Sequence, residues 1–462
     1  MFWKSRASKL DAETFVIDKK KKYSFKQIFD LSDRYFKEVE SRSLILIQAD
    51  RDIDTILSYI GSLRKDSVPF LVDSNLSIKS LSILLEKYKP DYLIHKNNQK
   101  FKNYDFYKKI GKKNFFKIKK KNLIKLNDKL CIIMPTSGSM GDTKCVRISK
   151  DNITYVTKSI VKYLMMDNYR VSISSLPFNY IYGLSVFNCS LESRSKFVVS
   201  NSSWIERNFW NDVEFHKVTD LSGVPFMFQT LKRLNISKKI LSNLKCVNQA
   251  GGRLEPNLTE FFVDFFQSKN INFYTMYGAT EASPRISFVP PEKAKEKIGS
   301  VGIPIDIGKV YTDNNDKKSL GEIIYEGKNV CMGYAFTRHE LTLNDVNKGI
   351  LKTGDVGYID KDGYITITGR KKRFVKIYGI SVNLDKIESE LKKITEDLAV
   401  IGKDDLILIL LGNSFKNQNE LKKELKNNIN FPFRAIKIKN VSTIYKNSSN
   451  KLDYARMNKK FL

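Results

Sequence analysis

The first hundred residues alternate short apolar runs with stretches of helical periodicity, and this alternation restricts the fold more than any other feature. Leu44-Ile45-Leu46-Ile47, Val68 to Val72 and Tyr92-Leu93-Ile94 are apolar runs of strand length. Asp52 to Leu63 and Ile78 to Tyr88 repeat apolar residues at helical spacing. Ser24 followed by Gln27 forms a capping-box pattern ahead of an amphipathic helix running to about Val39. Parallel strands need a crossover between them, usually a helix, so this βαβα rhythm predicts a largely parallel α/β sheet.

Ligands of parallel sheets gather beyond the strand C-termini. Leu130-Cys131-Ile132-Ile133 reads as a buried strand and Cys145-Val146-Arg147-Ile148 as another. Between them, Met134 to Lys144 carries hydroxyls, two glycines and one lysine. Glycine lets the backbone approach a ligand closely. Successive N–H groups and hydroxyls can then wrap phosphate oxygens, and a lysine adds a point charge. The spacing of Gly138, Gly141 and Lys144 is not that of Walker A. The stretch therefore reads either as another kind of phosphate loop or as a polar hairpin turn. After a helix over Asn152 to Met165, three further predicted strands end in polar or glycine-rich loops. Val171 to Leu176 leads into Pro177-Phe178-Asn179-Tyr180-Ile181-Tyr182-Gly183-Leu184. Cys246 to Ala250 leads into Gly251-Gly252-Arg253-Leu254, and Asn272-Phe273-Tyr274 into Thr275-Met276-Tyr277-Gly278-Ala279-Thr280-Glu281.

From Gly321 the pattern changes to hairpins: Glu322 to Tyr325 reads as a strand, and Tyr358-Ile359 and Tyr364 to Thr368 flank the turn Asp360-Lys361-Asp362-Gly363. Lys371-Lys372-Arg373 is a polar run suited to a linker. Beyond it, a helix over Leu384 to Ile394, a strand over Leu406 to Leu411 and a helix over Glu420 to Asn427 make a small α+β domain. No internal repeat is present. The expected fold is α/β: a large N-terminal domain of α/β sheets plus a barrel-like β part, residues 1–370, and a small mobile α+β C-terminal domain, residues 371–462.

With 462 residues, 42% of them hydrophobic, the chain can bury a sizeable core. Five scattered cysteines form no CxxC pair, which argues against a zinc site or a disulfide framework. Met1 to Asp18 lacks the pattern of a signal peptide, and no apolar run approaches the ~18 residues that span a bilayer. A soluble cytoplasmic protein with no membrane span is expected. The net charge of +30 is compatible with nucleic acid or an anionic surface. The lysines are dispersed, however, and mixed with Asn and Ile, so we expect no specific nucleic-acid partner. The densest cluster, Lys100 to Lys125, is expected to be an exposed, solvated connector.

Six motifs in one order resemble the adenylate-forming superfamily of acyl-CoA synthetases, peptide-synthetase adenylation domains and luciferases, over nearly the whole chain. Pro135 to Lys144 resembles its phosphate loop, Pro177 to Leu184 its acyl-pocket loop, and Gly251-Gly252 its glycine pair beside adenine. Tyr277-Gly278-Ala279-Thr280-Glu281 matches YGxTE, and Thr353-Gly354-Asp355 followed by Gly369-Arg370 matches TGD…GR. Asn450-Lys451-Leu452-Asp453 resembles the final GKxD. Met276 to Ala282 together with Val382 to Glu388 also resembles short bacterial ligases found among surface-polysaccharide genes.

The resemblance implies an ATP- and Mg²⁺-dependent enzyme in which a small carboxylic acid attacks the α-phosphorus to give acyl-AMP and pyrophosphate. The nucleophile is already ionised, so the residues have to position groups and neutralise charge. It implies that Thr136, Ser137, Gly138, Ser139, Gly141 and Lys144 hold the β- and γ-phosphates. Gly251, Gly252, Tyr277 and Gly278 would line the nucleotide site, and Tyr180, Tyr182 and Gly183 the acyl pocket. Thr280 would bond the α-phosphate and Glu281 would bind Mg²⁺. Asp355 and Arg370 would hold the ribose. Lys451 would stabilise the transition state from the small domain. Rotation about Lys372 would then admit a phosphopantetheine thiol, of coenzyme A or of a carrier protein, past Gly379. Out of context, Asp355 is a turn residue or cap, Thr280-Glu281 a helix start, and Lys451 a solvated surface charge.

The chain departs from the family at Met140, where Thr or Ser is usual, at Thr143, where Pro is usual, and at Asn450, where Gly is usual. The acyl-pocket loop has no carboxylate to pair an ammonium, which weighs against an α-amino acid substrate. Four functions therefore compete: an acid–thiol ligase, an adenylating enzyme with an amine acceptor, a catalytically weak nucleotide-binding protein, and a nucleic-acid or anionic-surface binder.

Overall fold

The computed structural model describes residues 1–4, 9–120, 124–135, 144–234, 238–314, 320–412, 421, 425, 432–446 and 452–462. The described chain divides into two compact units. The first is built from residues 1–136, 144–310 and 325–351, and the second from 311–324 and 352–462.

The helices of the first unit begin where side chains can cap them. Ser24 Oγ accepts the Gln27 N–H while Gln27 Oε1 accepts the Ser24 N–H, opening helix Phe25–Phe36. Asp52 caps Ile53–Arg64, Ser77 caps Ile78–Tyr88, and a Ser149/Asn152 capping box opens Lys150–Tyr163. These elements feed an eight-stranded sheet with Leu44–Ala49, Val68–Asp73 and Tyr92–His95 parallel at its centre. Leu130–Pro135 and Cys145–Ser149 form an antiparallel hairpin on one side, and Tyr334–Ala335 pairs with the latter as the edge. A nine-stranded sheet runs in the order Ile303–Pro304, Ser287–Phe288, Asn272–Tyr277, Cys246–Gln249, Asp220–Gly223, Val171–Ile173, Lys196–Val199, Thr14–Asp18, Lys21–Ser24. Its inner strands are parallel. One core joins the two sheets: Phe25, Phe36, Tyr59 and Phe187 from helices meet Ile45, Ile47 and Phe197 from strands.

Three expectations need correction. The segment from Lys100 to Lys125 is no solvated connector: Tyr104–Ile110 and Lys113–Ile118 form a hairpin that completes the eight-stranded sheet. Ile110 and Phe115 are wholly buried, and Lys113, 2% exposed, lies 3.4 Å from Asp50 and 3.3 Å from Asp52. The many lysines hid the buried Tyr104, Ile110, Phe115 and Phe116, whose burial follows no simple alternation. Next, Pro177 to Leu184 is loop only as far as Tyr180. Ile181–Ser193 is a helix, almost all of it buried, so it lacks the polar face by which helices are recognised in sequence. Lastly, Lys371–Arg373 is a 3₁₀ turn whose Arg373 is buried rather than a solvated linker residue.

The second unit contains most of a four-stranded sheet, in the order Gly308–Thr312, Gly321–Gly327, Ile350–Ile359, Ile365–Arg370. A two-stranded hairpin (Phe374–Ile377, Ile380–Asn383) and a three-stranded sheet (Leu398–Lys403, Leu406–Leu411, Ile436–Asn440) follow. Helices Leu384–Lys392 and Tyr454–Phe461 accompany them. Arg373 ties these pieces together: it bonds Asp385 at 2.6 Å, Glu388 at 3.1 Å and the Val400 carbonyl, and lies over the Tyr454 ring at 3.8 Å. The helix expected over Glu420 to Asn427 lies largely outside the described residues.

Candidate active site

Strand Asn272–Tyr277 ends in the half-buried turn Tyr277 to Glu281, and Thr280–Ala282 closes as one 3₁₀ turn. Gly278 is required there, because a Cβ at this position would collide with the Pro284 carbonyl of the returning chain. Tyr277 pairs with Ser287 in the return strand, so Glu281 is held at the sheet's end. Its main-chain carbonyl accepts the Cys331 N–H at 2.8 Å, and its Oε1 accepts the Tyr334 hydroxyl at 2.7 Å. Lys144, the last residue of the expected phosphate loop, places its Nζ 3.8 Å from the centroid of the same Tyr334 ring. One phenol thus joins the carboxylate of the YGxTE turn to the ammonium that ends the expected phosphate loop. Burial, then the Glu281 charge and the hydrogen bond to it, hold the Tyr334 pKa well above the usual tyrosine value, so it stays a neutral donor.

Tyr334 is fixed from beneath by Arg147. This wholly buried guanidinium donates to the carbonyls of Tyr334 (3.2 Å), Leu343 (2.6 Å), Met332 (2.6 Å) and Asn344 (3.3 Å). Burial lowers the Arg147 pKa from its ordinary value.

The segments expected to form the acyl pocket and the glycine pair also meet. Gly251, at φ +83°, has no room for a Cβ because the Tyr180 hydroxyl fills that space. Gln249 Nε2 closes the turn by donating to the Gly252 carbonyl at 2.8 Å. Tyr182 and Gly183 lie in the first turn of helix Ile181–Ser193, and Tyr182 donates to the Asn248 carbonyl at 3.1 Å. Arg285, four residues beyond Glu281 and 2% exposed, faces the Tyr182 ring at 5.3 Å.

In the second unit, Asp355 and Arg370 stand opposite each other on paired strands. Arg370 Nε lies 3.0 Å from Asp355 Oδ1; the aspartate is 7% exposed and the arginine 70%. Beside them Glu322 accepts the Gly354 N–H at 3.1 Å and Lys371 Nζ at 2.8 Å. Lys372 is exposed within its 3₁₀ turn. Thr136, Ser137, Gly138, Ser139, Met140, Gly141 and Thr143, and Asn450 and Lys451, lie outside the described residues.

Tyr334, Arg147 and Arg285 were missed from sequence. Tyr334 is 53 residues from Glu281, and no local periodicity links the two. A charge at the head of the short strand-like stretch Arg285-Ile286-Ser287-Phe288-Val289 was the available signal for Arg285.

A sequence profile for AMP-binding enzymes matches residues 3–335, and the chain belongs to this AMP-binding enzyme family. Probable 4-coumarate–CoA ligase 1 of Dictyostelium discoideum is 30% identical over 304 residues, covering 63% of this chain and 54% of the relative. The chain thus spans about half the length of that relative. 2-Succinylbenzoate–CoA ligase of Oceanobacillus iheyensis is 29% identical over 337 residues, covering 70% of this chain and 68% of the relative. Among solved structures, o-succinylbenzoate CoA synthetase of Bacillus subtilis, in complex with the acyl-adenylate intermediate OSB-AMP, matches with a TM-score of 0.78 at 20% identity. It covers 96% of this chain and 95% of its own. ATP-bound MatB from Rhodopseudomonas palustris matches at 0.79 and 16% identity, covering 98% and 97%. At these identities the likeness is one of fold, and that fold is the α/β architecture expected from the sequence.

Proposed function

We propose that the chain is an ATP-dependent acid–thiol ligase. A carboxylate oxygen bonds to the α-phosphorus of ATP and pyrophosphate leaves. The sulfur of a phosphopantetheine thiol, of coenzyme A or of a carrier protein, then bonds to the acyl carbon while AMP leaves and the thiol proton is lost. The observation that carries this reading is the junction of Lys144, Tyr334 and Glu281. It puts a phosphate-type cation and a hard-cation carboxylate on one side chain, beyond a strand C-terminus.

The residues fit Mg²⁺ bound jointly with nucleotide. Among the described residues no group of three His, Cys, Asp or Glu forms a metal cage by itself, and Mg²⁺ usually takes one or two carboxylates plus phosphate oxygens. Glu281 would supply the carboxylate, and the bound ion would offset charge on the phosphates. Tyr334 keeps Glu281 oriented. Thr280 bonds the α-phosphate, and the loop Thr136, Ser137, Gly138, Ser139, Gly141 and Lys144 holds the outer phosphates. Gly251 and Gly252 give the adenine a flat wall, with Tyr277 and Gly278 beside it. Tyr180, Tyr182 and Gly183 bound the acyl pocket. Asp355, with Arg370 beside it, accepts from the ribose diol. Lys451 stabilises the adenylation transition state, and residues 371–462 then turn about Lys372 to admit the thiol.

The protein works in the cytoplasm, and nucleic-acid binding is incidental. Five free, buried cysteines suit a reducing compartment, and no helix among the described residues is long and apolar enough to cross a membrane.

Pyrophosphate–ATP exchange across a panel of carboxylic acids tests the proposal. At least one acid should drive exchange. ATP binding without exchange for any acid would instead identify a catalytically weak nucleotide-binding protein, the reading that Met140 and Asn450 favour.

A further inference from the structure

Arg285 has no role in the reaction proposed above, yet it is 2% exposed, and its Nε–H has no acceptor among the described residues. No carboxylate among these residues pairs with it. Its polar neighbours are the phenols of Tyr163, Tyr180 and Tyr182 and the thiol of Cys189. Burial raises the pKa of all four, and the opposing pull of the Arg285 charge is the smaller effect, so they remain neutral. Tyr163 shares a side-chain hydrogen bond with the guanidinium, and the Tyr182 ring at 5.3 Å offers a cation–π contact, but neither supplies a counter-charge or an acceptor for Nε–H. The Tyr180 hydroxyl, packed against Gly251, makes no hydrogen bond among the described residues. A guanidinium with no carboxylate partner and one orphaned N–H therefore lies with a half-buried phenol within the segments expected to bound the acyl pocket.

Burying an uncompensated charge costs several kcal/mol, so such a charge is expected where a ligand supplies its counterion. We infer that Arg285 is a binding site for a second carboxylate on the acid substrate, which makes the substrate class dicarboxylic acids. This rests on the ligase reading for the reacting carboxylate. That group must keep an oxygen available for attack on phosphorus beside Thr280, on a half-buried turn, whereas Arg285 is enclosed by side chains from helices Lys150–Tyr163 and Ile181–Ser193. A guanidinium fork matches a carboxylate bidentately, and Tyr180 can donate a further bond to the same group.

Calorimetry on the full-length protein, with Mg²⁺ and the α,β-methylene analogue of ATP present, tests the site. The ligands are a ladder of straight-chain and aromatic dicarboxylic acids, each paired with its half-amide. At least one diacid should bind about 100-fold more tightly than its half-amide, the scale of losing charge-assisted bonds. Arg285→Met should remove that preference while leaving affinity for the ATP analogue unchanged, and Arg285→Lys should keep part of it. Equal binding of diacids and half-amides to wild type overturns the inference, as does failure of every diacid to bind or survival of the preference in Arg285→Met. An equal loss for diacids and half-amides in Arg285→Met would mean that the arginine holds the reacting carboxylate, which also overturns it. The wild-type ladder decides the matter even where a variant fails to fold. Pyrophosphate exchange run in parallel judges the ligase reading separately. Diacid binding through Arg285 without exchange keeps the site and removes the activity; exchange with monoacids alone keeps the activity and removes the site.

Discussion

The clamp around Arg147 and the pocket around Arg285 bury the same chemical group in opposite ways. Arg147 is met by four main-chain carbonyls, whereas Arg285 is met by neutral phenols, a thiol and a ring face, with its Nε–H left over. A guanidinium whose donors are matched by backbone works as scaffold: it fastens the segment carrying Tyr334 to strand Cys145–Ser149. One that meets no carboxylate and keeps an orphaned N–H leaves a charge that an anion can compensate. The carboxylates divide similarly. Asp355 and Glu322 in the second unit already face Arg370 and Lys371, while Glu281 in the first is oriented by a neutral hydroxyl, which leaves its charge for a cation.

The largest effect that can break this contrast is on stability. Arg147→Met should cost about 3 kcal/mol, because it leaves four buried carbonyls without their charged donor. Arg285→Met should change stability by less than about 1 kcal/mol, since exchanging an unmatched buried charge for an apolar side chain of similar size is neutral or favourable. Urea denaturation of both variants measures the difference, and equal losses would erase the distinction. Next in size, Asp355→Ala should weaken ATP binding by ~1.5–3 kcal/mol, the loss of charge-assisted hydrogen bonds to the ribose. Unchanged nucleotide affinity in calorimetry, with the fold intact, would make Asp355 and Arg370 a surface ion pair and nothing more.

A smaller effect is expected at Tyr334. Tyr334→Phe keeps the ring beneath Lys144 but removes the bond to Glu281. Adenylation should slow about tenfold, and half-saturating Mg²⁺ should rise, on the scale of one hydrogen bond to a charged group. A variant with wild-type Mg²⁺ dependence would remove Tyr334 from the site. The sign of the pH effect follows from the raised pKa. The Tyr334 contribution is fully present below the unfolded-tyrosine value of ~10 and falls as pH rises beyond it, so the wild type should show no step from this group between pH ~6 and ~9. The smallest effect is a null result in the wild type. Cys145 and Cys331 lie on either side of the Arg147 clamp, and burial pushes both thiols up to about 12. Neither should react with a thiol reagent at neutral pH, and both should become reactive in Arg147→Met. Reaction in the native wild type, read by mass spectrometry, would show the clamp to be open.

Much of this was legible in local sequence. The capping residues Ser24, Asp52 and Ser149 sit where the helices begin, and the turn Asp360 to Gly363 pairs Ile359 with Ile365; an irregularity between Val356 and Gly357, which no local signal announces, then shifts the register and brings Asp355 opposite Arg370. The YGxTE turn marked the position of Glu281. Where reading failed, the signal was masked or absent. Lysines obscured the buried Phe115 and Phe116 in the hairpin Tyr104–Ile110 and Lys113–Ile118, where four consecutive residues are buried and no alternation shows. Helix Ile181–Ser193, buried on nearly every side, has no amphipathic period to display. Arg373, in a run of three basic residues, looked like its exposed neighbours, although Asp385 and Glu388 bury it.

The sequence alone determined the α/β class and the order of the loops, because strand and helix periodicity, caps and turns act over a few residues. It also determined that a hydroxyl- and glycine-bearing stretch ends at Lys144 and that a carboxylate follows Thr280. Tertiary structure alone decided which of these groups touch. Tyr334 becomes the link between Lys144 and Glu281 only when Tyr334–Ala335 pairs with Cys145–Ser149 at the sheet edge. Arg147 and Arg285 become scaffold and pocket only through what burial places around them. Burial and hydrogen bonding between residues far apart in the chain depend on how whole sheets stack. Two identical guanidinium groups carry no local mark of which one the backbone will satisfy.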